Sequence, residues 1–427
     1  MNFISPKLIN QALLCILILG FCFALTGTSV AQDCTPGTFS VTNPTSMSCR
    51  PYSTSLFNKP LPNAGSGGPM THLAPNSDAI AQNTLGPGFT YVATPGSADT
   101  TANPFYYGRS SDPIYKVDSC AAPGNDPAHN PTGTFWHIPN GARFSGLNGD
   151  RFFSVWDQST NKVFSAYHYA MPGVTLPACS ATTQQTACSF PNVTYCSMAD
   201  YATDKGYQAG NGGGDSLWEA PAALMIRQDE WISGTINHAL YLNGSCEAVG
   251  TSVFPAGSGH AAQCSNPAGP KPLHGSLYFM DYSDAQIASM NIPAWKKTII
   301  KAMAHYGGYF GDTNDNGITQ GTYPTRYEGG EAYLTAGTTS PLFGWLAGQG
   351  ITPHGDGTSQ DYSLSYWSGI PNLAGPNCPG STCDVAHHTH IADQCVPLGL
   401  AGQAGGCVDA ATNALPSAPA SLTATVQ

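Results

Sequence analysis

The sequence predicts a mainly β protein with two short packing helices and long disulfide-tied loops. Three observations predict it. Glycine (48) and proline (34) are abundant in 427 residues, while only 10% of residues are charged. Such a composition suits a β-rich extracellular domain rather than a helical or disordered chain. Short apolar runs alternate with polar residues and end in turn residues, the pattern of strands lying on a sheet. Fourteen cysteines supply the ties.

The N-terminus reads as a secretory signal peptide over residues 1–31. Lys7 precedes the apolar run ALLCILILGFCFALTG, and Ser29-Val30-Ala31 supplies small residues at the cleavage positions, with Gln32 the mature N-terminus. Neither Cys22 nor Cys34 has the small residues before it that a lipoprotein anchor needs, so the expectation is a secreted, extracellular protein. Cleavage leaves twelve cysteines, an even number, in a compartment where disulfides persist. The close pairs Cys34/Cys49, Cys179/Cys188, Cys246/Cys264, Cys378/Cys383 and Cys395/Cys407 invite local bridges, leaving Cys120 and Cys196 for each other. Spacing alone does not fix this connectivity. The mature chain carries 14 basic against 26 acidic residues, a net of −12. That balance speaks against nucleic acid, anionic membranes and strongly anionic polymers as partners.

Residues 32 to about 115 hold too many breakers for long elements. LFNKPLP reads there as an extended lead-in and APNSDAIAQ as one helical turn. Strands follow at FWHIP (135–139), RFFSVWD (151–157) and KVFSAYHYAM (162–171), the last two joined by QSTN as a hairpin. Alternation puts Phe153, Val155 and Asp157 on one face of that strand, and Phe152, Ser154 and Trp156 on the other. The run LWEAPAALMIRQDEWISG predicts a helix capped at Asp215 or Ser216 and stopped at Gly234. Pro221 sits in its first turn, and Leu224, Met225, Gln228 and Trp231 lie near one face. TINHALYL (235–242) then reads as a strand, and GSLYFMDYS as another. A second helix, IPAWKKTIIKAMAHYGGY, opens at Pro293 and ends at Gly307-Gly308, with Ile299, Ile300 and Met303 as its apolar stripe. From 318 to about 411 the chain reads as loops around a few strands. The domain therefore spans 32–411, and 412–427 forms a separate tail.

Three blocks, IPNGARFSGLNGDRFFSVWDQSTNKVF, EAPAALMIRQDEWISGTINHALYL and KKTIIKAMAHYGGYFGD, together resemble a poorly characterised family of secreted soil-bacterial proteins. The resemblance covers about residues 55–317 and implies a jelly-roll-like β-sandwich, with little to say about chemistry. In the tail, Pro419, Leu422, Ala424 and Val426 resemble the start of a fibronectin type III module, so 412–427 is a linker or the beginning of a truncated one. Such modules are commonly tethered to polymer-acting domains.

His238 is the sharpest single candidate for chemistry. On a strand it shares a face with Ile236, Leu240 and Leu242, where a histidine is either a hydrogen-bonded core residue or a general base. Tyr167 or Tyr169 would partner it in a β-elimination, although that reaction needs Lys or Arg to neutralise a substrate carboxylate. Glycoside hydrolysis instead needs two carboxyls roughly 5–9 Å apart, and Asp157, Asp215, Glu219, Asp229, Asp281 and Asp312 are the candidates. Asp312, Asn314 and Asn316 read D-x-N-x-N-G, the first half of a calcium loop, but Tyr323 stands where the bidentate Glu belongs. His387, His388 and His390, near Asp384, form a histidine cluster that would suit copper or zinc. Trp136, Trp156, Tyr167, Tyr169, Trp345 and Trp367 lie in Gly-rich, polar stretches and are candidates for stacking on sugars. No nucleophile elbow, phosphate loop or dinucleotide fingerprint is present.

The expectation is a secreted, monomeric carbohydrate-active protein that cleaves glycosidic bonds of an extracellular polysaccharide, as a glycoside hydrolase or polysaccharide lyase. His238, Asp157, Tyr167 and Glu219 are its catalytic candidates. Trp136, Trp156, Tyr169 and Trp345 are its sugar-binding candidates, and Asp312, Asn314 and Asn316 its calcium ligands. The alternatives are a non-catalytic glycan-binding or cell-surface protein and a metal-dependent redox protein.

Overall fold

The structure is a computed structural model. It describes residues 55–85, 89–92, 104–123, 127–144, 151–168, 175–200, 223–244, 247–248, 252–256, 269–313, 323–324, 328, 333, 335–337, 340–351, 353–354, 361–365, 385 and 387–399. The expected signal peptide (1–31), the expected tail (412–427) and residues 201–222 lie outside these.

The first half of the chain builds β1 (Phe89–Val92), β2 (Phe105–Gly108), β3 (Ile114–Val117), β4 (Cys120–Pro123), β5 (Phe135–His137), β6 (Arg151–Asp157), β7 (Lys162–His168), β8 (Cys188–Phe190) and β9 (Val193–Asp200). The predicted hairpin is β6–β7, in register from Arg151↔His168 to Asp157↔Lys162. Asn161 takes φ 55° in its turn, a left-handed conformation that Asn tolerates because its short polar side chain bonds locally. Five strands form one mixed sheet in the order β2-β6-β7-β9-β4, with β2 parallel to β6 and β4 parallel to β9. A three-stranded sheet, β5-β3-β8, lies beside it. Both faces of β6 are covered: Phe153, Val155 and Trp156 all sit in one apolar core with Phe164, Phe190 and Trp136. The alternation of the sequence is therefore apolar on both sides.

The second half adds β10 (Leu240–Gly244), β11 (Leu277–Met280), β12 (Gly308–Thr313), β13 (Tyr323–Pro324), β14 (Pro353–His354), β15 (Asp361–Ser365) and β16 (Thr389–Ile391). The order β13-β10-β12-β11-β16 makes a second five-stranded sheet, also mixed, and β1-β15-β14 a small antiparallel one. Alternation in the second sheet sorts its residues between two cores. Tyr241, Leu277, Phe279 and Tyr309 join the core of the first sheet. Leu240, Leu242, Tyr278, Met280 and Phe310 join a second core, covered by helices. A sheet buried on both faces needs a nearly continuous apolar run, which is why β11 reads LYFM.

Five α-helices are described: α1 (Ser77–Thr84), α2 (Gln228–Ser233), α3 (Asp284–Ser289), α4 (Ala294–His305) and α5 (Pro341–Gly348). Helix α4 follows Pro293 and buries Trp295, Ile299, Ile300 and Met303. Gly307, at φ 73°, turns the chain into β12; a Cβ there would stand 2.5 Å from the Tyr278 carbonyl oxygen, so only glycine fits.

Two expectations change. Of the helix expected from residue 216, the described residues from 223 onward hold α2: its stop at Gly234 is as read (φ 71°), and it begins at Gln228. Leu224 and Met225 precede it and pack in the first core, whereas Trp231 packs in the second. The segment passes between layers, so its apolar residues need not share a face. The strand read over 235–242 starts at Leu240 and includes neither Ile236 nor His238. The packed, mainly β layers match the expected class, but the described residues hold five helices where two were expected, and three of the four described sheets are mixed and open. A jelly roll is built of antiparallel strands, and the parallel pairs here do not establish one.

Two disulfides tie the first half: Cys120–Cys196 and Cys179–Cys188, with Cα separations of 6.1 and 6.0 Å. Cys395 is disulfide-bonded as well, and the other cysteines fall outside the described residues. The two described bridges are compatible with an extracellular protein. No helix among the described residues is long and apolar enough to cross a membrane.

Candidate functional site

His238 lies just before β10 and is 5% exposed. Its Nδ1 is 2.7 Å from the Ala239 carbonyl oxygen, and its Nε2 is 3.1 Å from Oε2 of Glu230 on α2. A carbonyl and a carboxylate only accept, so both ring nitrogens of His238 face protein acceptors rather than an open site for the general-base role expected of it.

Glu230 is the centre of this contact set. Its Oε2 also accepts the backbone N–H of Arg227 (3.0 Å), and its Oε1 the Arg227 guanidinium Nη2–H (3.3 Å). Burial alone would raise its pKa, but Arg227 and His238 outweigh burial and hold it at about 2. Asp229, next along the helix, has Oδ1 3.8 Å from Nε of Arg227, and its side chain is 19% exposed. Burial, partly offset by Arg227 and reinforced by Glu230, pushes it up to about 6.

Glu328 completes the network from the C-terminal half of the chain and is fully buried. Its Oε1 accepts the phenolic hydrogen of Tyr107 on β2 (3.0 Å), and its Oε2 the backbone N–H of Gln228 (3.1 Å). Gln228 is held in turn by the Ser340 hydroxyl, which donates to its Oε1 at 2.7 Å. Burial, with the charge of Asp229 added, pushes Glu328 up to about 7 despite these hydrogen bonds. Burial and the charges of Glu328 and Asp229 also raise Tyr333. Consecutive backbone nitrogens are at most about 3.7 Å apart. With hydrogen bonds of 3.0 and 3.1 Å to Arg227 and Gln228, the bonded oxygens of Glu230 and Glu328 lie within about 10 Å of each other. One buried network thus holds a carboxyl that keeps its proton to neutrality and another ionised at every ordinary pH, the arrangement by which acid and base roles are divided.

The other sequence candidates are dispersed. Asp157 is buried at the end of β6, bonded to His137 and Ser159. Tyr167 is buried on β7, its ring against Phe152 and Tyr195. Trp136 and Trp156 are 2% and 0% exposed, so both fill the first core and present no open ring face to a sugar. Trp345, on α5, is half-buried with its ring edge on Trp231. Asp312 lies in β12 opposite Asn243; Glu219, Tyr169, Asn314 and Asn316 lie outside the described residues. His388 Nδ1 bonds Asp281, and His390 Nδ1 bonds Asp78 at 2.8 Å, while His387 is exposed. Burial would raise Asp281, but the two histidines outweigh it and hold it at about 2. Among the described residues no group of three or more His, Cys, Asp or Glu is placed to hold a metal ion.

Sequence reading reached His238 and Asp229 but missed Glu230, Arg227, Glu328 and Tyr107. RQDE did carry a signal, a basic and two acidic residues inside an apolar run. Glu328 and Tyr107 carried none, because they reach the site through long-range packing. No family model matches this chain, and neither the curated proteins nor the solved structures include a match.

Proposed function

We propose that the chain is a secreted carbohydrate-active protein that cleaves glycosidic bonds of an extracellular polysaccharide by hydrolysis. It would be a jelly-roll-like relative of the soil-bacterial proteins its three blocks resemble. The observation that carries the reading is the contrast between Glu328, held at about 7, and Glu230, held at about 2, within one network. Glu328 is the proton donor to the departing glycosidic oxygen. Glu230 is the ionised carboxylate that stabilises positive charge developing on the sugar, or directs the attacking group. Arg227 and His238 keep Glu230 ionised, and Asp229, the most exposed acid described in the network, marks its approach to solvent. A lyase is less well supported, since the guanidinium here is already engaged by Glu230 rather than open to a substrate carboxylate. The low charge of the chain and its export signal suit a neutral polymer outside the cell.

The test is incubation of the purified mature protein with neutral and uronic-acid polysaccharides, following reducing ends and the absorbance of unsaturated products. New reducing ends without absorbance support hydrolysis; absorbance would replace it by elimination. A second reading, non-catalytic glycan binding, is favoured by the burial of the carboxyls: Glu328 is 0% and Glu230 5% exposed. Retention on a polysaccharide column with no product formed would select it.

A further inference from the structure

A separate cluster sits where β2, β5 and β6 end. Asp157, the last residue of β6, is fully buried and accepts four hydrogen bonds. Its Oδ2 takes the backbone N–H of His137 (2.9 Å) and faces His137 Nδ1 at 3.0 Å. Its Oδ1 takes the backbone N–H (2.9 Å) and the hydroxyl (2.6 Å) of Ser159. The single hydroxyl hydrogen of Ser159 goes to Asp157, so its oxygen, 2.8 Å from His137 Nδ1, can only accept. Both partners of Nδ1 are therefore acceptors, and the ring carries its hydrogen there. Nε2 is left with the lone pair, on a side chain that is 19% exposed.

The serine does not complete a nucleophilic triad. That arrangement needs the hydroxyl on one ring nitrogen and the carboxylate on the other, whereas here both share Nδ1. What the geometry prepares is an oriented base whose Nε2 keeps its lone pair on a partly exposed side chain. Asp112, whose Oδ2 accepts the Arg109 backbone N–H at 2.8 Å, is close enough to feel the charge of His137, and Lys162 is the register partner of Asp157 across the hairpin.

We propose that His137 is the base of a second reactive centre, which activates water against an acyl ester, with Asp157 as its positioning residue. Nε2 takes a proton from water as the oxygen bonds to the acyl carbon. Asp157 offsets the charge of the imidazolium formed. The acyl carbon–alkoxy bond then breaks, and the proton on Nε2 leaves with the alcohol, so water and ester become acid and alcohol. An ester suits the site better than a glycoside, because the carboxylate here is committed as an acceptor and the cluster offers a base rather than an acid for a glycosidic oxygen. This centre shares no residue with the Glu230–Glu328 network and is independent of the hydrolysis proposed there.

The probe is p-nitrophenyl acetate with the full mature chain, together with nitrogen NMR of the His137 ring. The expected neutral ring has hydrogen on Nδ1 and none on Nε2, and His137→Gln lowers turnover of the ester at least about tenfold. Ser159→Ala, which removes one bond to Asp157, costs less. Hydrogen on Nε2 in the neutral ring would overturn the proposal, as would unchanged turnover in folded His137→Gln. Equal loss in Ser159→Ala would also overturn it, by making the serine the nucleophile. Because Asp157 is buried, Asp157→Asn is read only by the ring's NMR signature, where the preference for Nδ1–H should vanish.

Discussion

Tyr107, on the first sheet, donates its phenolic hydrogen to Oε1 of Glu328 at 3.0 Å, joining that sheet to the network around α2. Both side chains are buried, so neither finds water if the other is removed. Tyr107→Phe should therefore cost about 1–3 kcal/mol, the penalty for leaving a buried acceptor short of a donor. It should also raise Glu328 further, since this hydrogen bond lowers its pKa. The urea midpoint of the variant checks the first effect, and the carboxyl stretch in infrared titration checks the second.

The raised pKa of Glu328 gives stability a direction with pH. The carboxyl moves from an ordinary 4.5 to about 7 on folding. Its contribution is thus fully present below about 4.5 and is lost as pH rises through about 7. The change amounts to about 3 kcal/mol. Thermal melts at pH 5 and pH 8 should differ more in the wild type than in Glu328→Gln, where the group no longer titrates. An equal difference in both proteins would remove Glu328 from the account.

Much of the architecture was legible because local chemistry dictates it. The hairpin 151–168 followed from alternation and a polar turn, α4 from Pro293, an apolar stripe and Gly307, and two of the proposed disulfides from spacing and parity. The start of α2 was not legible, since Leu224 and Met225 serve one core and Trp231 the other, and a pattern spanning two layers mimics one helical face. Burial on both faces of the sheets likewise misdirected the reading of Trp136 and Trp156, which sit in polar sequence yet fill the first core. The site was half visible: His238 and RQDE stand in the sequence, but Glu328 and Tyr107 come together only across 221 residues of separation.

Gly108 shows how closely β2 approaches β5. A Cβ added there would stand 2.0 Å from the carbonyl oxygen of His137, so one strand must move. Gly108→Ala is expected to lose roughly 3 kcal/mol of stability through overpacking. It should also disturb the His137 ring resonances, because His137 carries the clashing carbonyl. A denaturant melt and the same nitrogen spectrum check both effects.

The two described disulfides close loops of different length, with sequence separations of 76 and 9. On the chain-entropy view, the longer loop is worth about 4.5 kcal/mol and the shorter about 2.6. Replacing both Cys120 and Cys196 by serine should lower the melting temperature more than replacing Cys179 and Cys188. Calorimetry of the two double variants decides the order.

The measurement closest to the central claim is the rate of reducing-end release from a polysaccharide that the wild type degrades, compared with folded Glu328→Gln across pH 4–9. As proton donor, Glu328 must be protonated, so the wild-type rate should fall as pH rises through about 7. The variant should be slower by about 100-fold or more. Wild-type rates in Glu328→Gln, with the same pH profile, would contradict the claim that this carboxyl does the chemistry.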